Sequence, residues 1–251
     1  MSFHIYYIYD CTFAGFLTAV HLAFQDKPKD FSIIKEGTFM SQDLFGDYRK
    51  VSTHQETADN ISHRIVSGIS KNSLKSIYYA FLSEIPGIET LIFSYIHAGL
   101  IKGSKIEEML SNMTVQQINS ASKKVSRERH RMLGFLRFKK LNSGIYYGPM
   151  EPEHDVISLI APHFTKRLGD QPWLIHDIKR EKCALYNKEE LIFTTEDFPT
   201  DKIIEDIEEK KFQNLWKKYF DKVTIEERKN LKLQQQFLPK KYWKYLTEKE
   251  G

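Results

Sequence analysis

The spacing of apolar positions changes several times along the chain, and each change predicts a different element. Residues 3–9 (FHIYYIY) are β-branched and aromatic, which predicts a buried strand. Residues 13–25 repeat apolar positions every three or four residues, as a helix does, and Asp10 or Thr12 can cap its start. The chain therefore opens as an α/β unit. Two further short strands are predicted at residues 30–36 and 47–53.

Helical spacing then continues from Gln55 to Met132, with short breaks that divide the segment into four or five helices. The spacing of apolar positions changes after Gly134. Two short apolar runs on either side of Asn142-Ser143-Gly144 predict a β-hairpin. A helix is predicted at 154–168, then three short strands in PWLIHDI, KCALYNK and ELIFTTE, and finally charged helices interrupted at Pro239.

These elements predict an α+β fold. An N-terminal α/β opening and helical block pack with a later antiparallel sheet, and C-terminal helices close the structure. One compact domain is expected over residues 1–251, changing from mainly helical in 1–133 to sheet plus C-terminal helices in 134–251. The 41% hydrophobic content is enough for a sizeable core.

Composition excludes few functions, but it narrows the setting. The net charge is +4, so affinity for nucleic acid has to come from clustering of cations. Cys11 and Cys183 lie far apart without metal-ligand spacing, and we expect free thiols, a cytoplasmic location and no metal. No secretory signal or long apolar run predicts a membrane segment, and no glycine-rich nucleotide loop predicts a cofactor.

Residues 123–141 (KKVSRERHRMLGFLRFKKL) concentrate positive charge, with eight Lys or Arg and one acid, Glu128. On a helical wheel one stripe is apolar: Ile118, Ala121, Val125 and Met132. The opposite side is cationic: Lys123, Lys124, Arg127, His130 and Arg131. In the following strand Arg137 and Lys139 share one side of the sheet. The pattern favours a face that contacts phosphates; the alternative is a solvated helix face. Glu128 is expected in an ion pair with Arg129 or Arg137.

A second basic cluster interleaves lysines with aromatic residues near the C-terminus. It comprises Lys217, Lys218, Lys240, Lys241 and Lys244 with Trp216, Tyr219, Tyr242, Trp243 and Tyr245. Such a mixture suits nucleic acid, where bases stack and phosphates pair. Helical spacing favours a different interpretation, in which four residues anchor a terminal helix in the core: Trp216, Phe220, Trp243 and Leu246.

Candidates for acid–base chemistry are polar residues in apolar surroundings. His163 and Arg167 are four apart on one helix, and His176 lies beside Asp177 on opposite faces of a strand. Each is also a common core or interface residue.

Four separated segments resemble a bacterial family ascribed to DNA metabolism and DNA repair, whose core is a domain of unknown function. The segments are YIYDCTFAGFLTAV, KKVSRERHRMLGFLRF, APHFTKRLGDQPWLIHDIKREKCALY and LPKKYWKYL. The resemblance implies a gene neighbour that is a radical SAM protein ascribed to DNA modification or repair. It also implies relatives in which the domain is fused to a uracil-DNA glycosylase-like domain.

Thirteen positions match the family pattern: Asp10, Arg127, Glu128, His130, Gly134, Arg137, Phe138, His163, Phe164, Arg167, Trp173, Asp177 and Arg180. Cys11 departs from it, since members carry Gly in an Asp-Gly-[Ser/Thr]-Phe turn. Gly permits a positive φ there, and we expect Cys11 not to.

The resulting prediction is a cytosolic DNA-binding accessory protein in DNA repair or modification, partner of a radical SAM enzyme. Its nucleic-acid contacts are predicted to be Lys123, Lys124, Arg127, Arg131, Arg137, Lys139, Arg167 and Arg180. One alternative is an enzyme acting on a nucleic-acid base or nucleotide, with His130, His163 and Asp177 as candidate catalytic residues. Another is a protein–protein adaptor with a basic face.

Overall fold

The computed structural model describes residues 4–37, 46–195, 204–224 and 230–249. The chain divides into two compact units, Met1–Ser126 and Arg127–Gly251. The expectation of one compact domain stays a prediction. In the part of the chain that is described, no helix is both long enough and apolar enough to cross a membrane.

The first unit is built on a three-stranded parallel sheet of β1 (Ile5–Tyr9), β2 (Phe31–Lys35) and β3 (Asp47–Lys50), with β1 in the centre. Helix α1 (Phe13–Asp26) makes the crossover from β1 to β2. The Thr12 hydroxyl accepts a hydrogen bond from the Gly15 amide and caps α1, so Thr12 fills the capping role.

The remaining helices of this unit confirm the predicted helical block. They are α2 (Gln55–Gly68), α3 (Lys71–Phe81) and α4 (Ile88–Lys102), followed by a 3-10 turn at Gly103–Glu108. The core gathers rings from β1, α1 and α3, with Phe16 stacked on Phe81 at 5.4 Å between centroids. Helix α5 (Met113–Phe135) begins in this unit and ends in the second.

The second unit contains a five-stranded sheet in chain order. Its strands are β4 (Lys139–Lys140), β5 (Tyr146–Met150), β6 (Trp173–Asp177), β7 (Lys182–Tyr186) and β8 (Leu191–Thr194). The predicted hairpin is confirmed as the antiparallel pair β4 and β5. The expectation of a purely antiparallel sheet is wrong for one pair. Strands β5 and β6 are parallel because α6 (Ile157–Arg167) carries the chain back between them.

The C-terminal segment of this unit is helical, as predicted. Helices α7 (Glu209–Val223) and α8 (Leu231–Phe237) are followed by 3-10 turns at Lys240–Tyr245 and Thr247–Lys249. Tyr242 and Leu246 from these turns are buried. They anchor the end of the chain.

Candidate nucleic-acid interface and buried polar cluster

One side of α5 is cationic and exposed, as the wheel predicts. Lys123, Lys124, Arg127 and His130 are exposed and Arg131 is half-buried, whereas Ile118, Ala121, Val125 and Met132 are buried. No carboxylate among the described residues lies within ion-pair distance of these cations. Within the described part of the chain, the helix therefore presents positive charge to solvent without an ion-pair partner. We call Lys123, Lys124, Arg127 and Arg131 the α5 cationic face.

Three other predicted nucleic-acid contacts are engaged with carboxylates of the second unit. Arg137 lies 2.7 Å from Glu248, Lys139 lies 3.4 Å from Glu205, and Arg180 lies 2.9 Å from Asp177. The Arg180 side chain is also only 7% exposed. These positions stabilise the unit, and a phosphate would compete there with an existing partner.

Arg167, the last residue of α6, is exposed, and His163 one turn earlier is half-buried with its ring edge-on to Phe164. Within the described residues, no hydrogen bond or ion pair joins Arg127, Arg137, His163 and Arg167. The same holds for the catalytic candidates His130, His163 and Asp177. The described contacts therefore do not bring the predicted site residues into one constellation.

Several family-matching positions instead form an aromatic core. Phe138 and Phe164 meet edge to face at 5.2 Å between centroids, and both rings lie near that of the fully buried Trp173. Gly148 in β5 lies against Phe138, and a Cβ there would stand 3.0 Å from the ring. These matches are explained by packing.

A cluster of charged side chains lies at the carboxyl ends of β5 and β6. Because the two strands are parallel, residues 151–155 after β5 and residues 177–180 at the end of β6 meet at one edge of the sheet. Arg180 links the two segments: it pairs with Asp177 and donates hydrogen bonds to the carbonyls of Pro152 and Glu153.

Asp177 is the most deeply buried charged residue of this cluster. It has no exposed surface, its Oδ2 accepts from Arg180 at 2.9 Å, and its Oδ1 has no hydrogen-bond partner among the described residues. Burial raises the pKa of Asp177; Arg180 opposes this shift, nearby Asp155 adds to it, and the resulting pKa is about 6. Asp177 can therefore carry or release a proton near neutral pH.

Asp155 repeats this arrangement from the β5 side. Its Oδ2 lies 2.5 Å from the Lys182 amino group. Lys182 in β7 lies opposite Asp177 of β6 in the antiparallel strand register. The Oδ1 of Asp155 is buried without a partner among the described residues. The two carboxyl groups are thus each held by one cation, with one oxygen left unsatisfied. Such atoms are uncommon in protein interiors.

Glu128 is buried and anchors this edge to α5. Its carboxylate accepts hydrogen bonds from the amides of Glu153 at 2.6 Å and His154 at 2.8 Å, and from the Tyr242 hydroxyl. The expected ion pair with Arg129 or Arg137 is not formed. Arg129 donates to the Leu159 carbonyl instead, and Arg137 pairs with Glu248.

The same carboxylate is one of three groups that could hold a cation. Ligand atoms of Glu128, Glu153 and His154 lie within 4.8 Å of one another. However, both Glu128 oxygens already accept hydrogen bonds, and Glu153 lies 2.9 Å from Lys241. A metal ion would have to displace these partners, so the arrangement fits a hydrogen-bonded anchor better than a metal centre.

In the first unit, the turn after β1 corrects the expectation for Cys11. Cys11 adopts a φ of 66°, in the left-handed region that Gly favours. Asp10 accepts hydrogen bonds from Thr12 and Thr53, and these bonds hold the turn. The turn therefore keeps a glycine-like conformation with a cysteine in it.

The basic helical face and the buried acid–base cluster describe an α+β protein, but they do not identify its family. Residues 86–248 match the family of a domain of unknown function, DUF4130. This is more than half of the chain, and the protein belongs to that family. No curated protein matches the chain.

The sequence places Tyr242 and Tyr245 in a basic cluster but does not predict the carboxylates that their hydroxyls contact, Glu128 and Glu151. The Tyr245 hydroxyl and Lys244 both bind Glu151, at 2.6 Å each. One signal was present: Glu128 falls three residues after Val125 and four before Met132, which is the spacing of the buried stripe.

Proposed function

We propose that the protein is a cytosolic DNA-binding accessory protein in DNA repair or modification, which contacts phosphates through the α5 cationic face. The observation that carries this proposal is that no carboxylate among the described residues pairs with the cations of that face. Several other cations of the second unit, including Arg137, Lys182 and Lys244, pair with carboxylates of the same chain. Exposed positive side chains along one side of a helix can contact the evenly spaced negative phosphates of a nucleic-acid backbone.

Cooperation with a radical SAM enzyme is the finer part of this proposal. Its support is the sequence resemblance described above, which pairs such proteins with an enzyme of that class. The α5 cationic face would hold DNA while the partner acts on it, and the protein itself would need no cofactor.

Salt-dependent binding of a labelled DNA duplex, followed by fluorescence anisotropy, tests the proposal. If roughly four to six phosphates are contacted, log K falls with log salt at a slope of about −4 to −5. The double change Arg127→Ala with Arg131→Ala should lower affinity about equally for all sequences and reduce the slope by about two.

The matched control removes two exposed cations elsewhere, Arg64→Ala with Lys71→Ala, and changes net charge equally. It should leave the affinity nearly unchanged. Absence of binding at low salt, or equal losses in both double variants, would show that α5 is not the interface. Binding lost only on altering Lys240, Lys241 and Lys244 would move the surface to the C-terminal turns.

A second candidate is an enzyme acting on a nucleic-acid base or nucleotide. The specific observation that favours it is Asp177, a buried carboxyl group with a pKa near 6 and one unsatisfied oxygen beside Arg180. Mass spectrometry of oligonucleotides and nucleotides incubated with the protein tests it. A product formed by the wild-type protein and absent with folded Asp177→Asn would favour the enzyme; unchanged substrates would leave DNA binding as the function.

A further inference from the structure

Helix α7 exposes its apolar side. Phe212 is 63% exposed, Leu215 60%, Tyr219 58%, Val223 53% and Trp216 41%. Their spacing of three and four residues places them on one face of the helix. A surface helix normally buries such a stripe, and an exposed one marks a binding surface.

This finding changes the interpretation of the C-terminal aromatic residues. Of the four expected core anchors, Leu246 is buried, and Phe220 and Trp243 are half-buried, but Trp216 is exposed. The expectation of a core role is therefore wrong for Trp216. Phe212, Trp216 and Tyr219 form a row of exposed rings, which we call the α7 aromatic row.

A row of lysines borders the stripe. Lys211, Lys218 and Lys222 are exposed and project next to Leu215 on the helical wheel. In the described part of the chain, only Lys211 of these three has a carboxylate within ion-pair distance, Glu208 at 3.7 Å. We call these three residues the α7 lysine edge. Its charge favours an anionic ligand and disfavours a second copy, which would add an edge of the same sign.

Two of the three rings, those of Trp216 and Tyr219, are held in place before any ligand arrives. The Trp216 indole donates to Glu248 at 3.0 Å, and the Arg137 guanidinium lies over its ring at 5.9 Å. The Tyr219 ring lies 5.8 Å from that of Trp216, tilted by 36°. Fixed rings lose little conformational entropy on binding.

We propose that this surface binds single-stranded nucleic acid. Bases stack on the α7 aromatic row, and phosphates contact the α7 lysine edge. The row spans about 10 Å along the helix, at 1.5 Å per residue, which accommodates two or three bases. Paired bases are already stacked on one another, so a duplex cannot use the rings in this way. The proposal does not depend on the α5 cationic face, which consists of different residues and suits duplex phosphates.

Anisotropy with a labelled deoxythymidine 15-mer and with a duplex of equal length tests the proposal. The double variant Phe212→Ala with Tyr219→Ala should lower affinity for the single strand about tenfold or more and leave duplex affinity nearly unchanged. Tyr219→Phe keeps the ring and should bind the single strand as the wild type does. Trp216 is left in place because it contacts Glu248 and Arg137.

Leu215→Ala with Val223→Ala is the matched control, since it removes apolar surface from the same stripe without removing a ring. It should leave single-strand affinity unchanged. Three results would overturn the proposal: no binding of the 15-mer at low salt, equal losses in both double variants, or binding to phosphatidylglycerol vesicles that both double variants abolish. The last result would identify a lipid surface. The Arg127 and Arg131 changes test duplex binding, whereas the Phe212 and Tyr219 changes test single-strand binding. Failure of one proposal can therefore be distinguished from failure of the other.

Discussion

The hydroxyl group of Tyr242 donates a 2.5 Å hydrogen bond to a carboxylate oxygen of Glu128, 114 positions earlier in the chain. Both side chains are buried, and the same carboxylate binds two amides after β5. One acid thus connects α5, the turn after β5 and the C-terminal segment of the second unit.

Removing this hydroxyl should destabilise the protein. Tyr242→Phe leaves a buried carboxylate with one fewer donor, and we expect the free energy of unfolding to fall by about 1.5–3 kcal/mol. Tyr245→Phe is the control, because Glu151 is less buried and keeps Lys244 as a partner. Its loss should be about 1 kcal/mol or less. Urea denaturation of both variants measures the difference; equal losses would contradict the anchoring role of Glu128.

Asp177 should make stability depend on pH in an unusual direction. Its folded pKa of about 6 exceeds that of an unfolded Asp, so between pH 4 and 6 the folded state binds a proton that the unfolded state does not. This contribution is present at low pH and is lost as pH rises through 6. Relative to Asp177→Asn, the wild-type protein should gain about 2–3 kcal/mol from pH 7 to pH 4. A difference that is flat over this range would show that Asp177 is ionised throughout.

Two glycines should respond in opposite ways to the same substitution. A Cβ at Gly15 would stand 2.1 Å from Asp10 Oδ1 and 2.7 Å from Thr53 Oγ1, so Gly15→Ala should lower stability by about 1–3 kcal/mol. Gly134 has no neighbour within 4 Å of its Cβ position, and Gly134→Ala should raise stability by about 0.5 kcal/mol. Thermal unfolding compares them; a loss for Gly134→Ala would show that the family match at this position has a packing reason.

The two cysteines should differ in reactivity. Neither forms a disulfide; Cys11 is exposed and Cys183 is 2% exposed, and burial raises the pKa of the Cys183 thiol. Titration with a thiol reagent should count one reactive group in the native protein and two after denaturation. If both thiols react rapidly in the native state, the sheet of the second unit must open around Cys183.

Local patterns gave most of the elements. The β-branched and aromatic composition of residues 3–9 and the helical spacing of residues 13–25 are local properties of the sequence, and β1 and α1 form there. The exposed face of α5 was predictable for the same reason. The pairing of strands was harder to predict. The parallel neighbours β5 and β6 are separated by α6, and the apolar pattern of a strand does not show whether its neighbour runs parallel or antiparallel to it.

The site was less predictable because its contacts are distant in sequence. Arg137 belongs to a basic run, yet its partner Glu248 lies 111 positions later. A helical wheel cannot show which cations are neutralised in this way. Cys11 is a different case: residue type argued against a positive φ, whereas the hydrogen bonds of Asp10 to Thr12 and Thr53 hold the turn regardless.

Helix α5 runs without interruption from Met113 to Phe135, so the boundary between the two units, at residues 126 and 127, falls inside it. Splitting the gene at that boundary would end one product and start the other in mid-helix, with carbonyls and amides deprived of their partners. The family match begins at residue 86, within the helical part of the first unit. Any recombination that transfers the second unit intact must therefore carry part of the first with it.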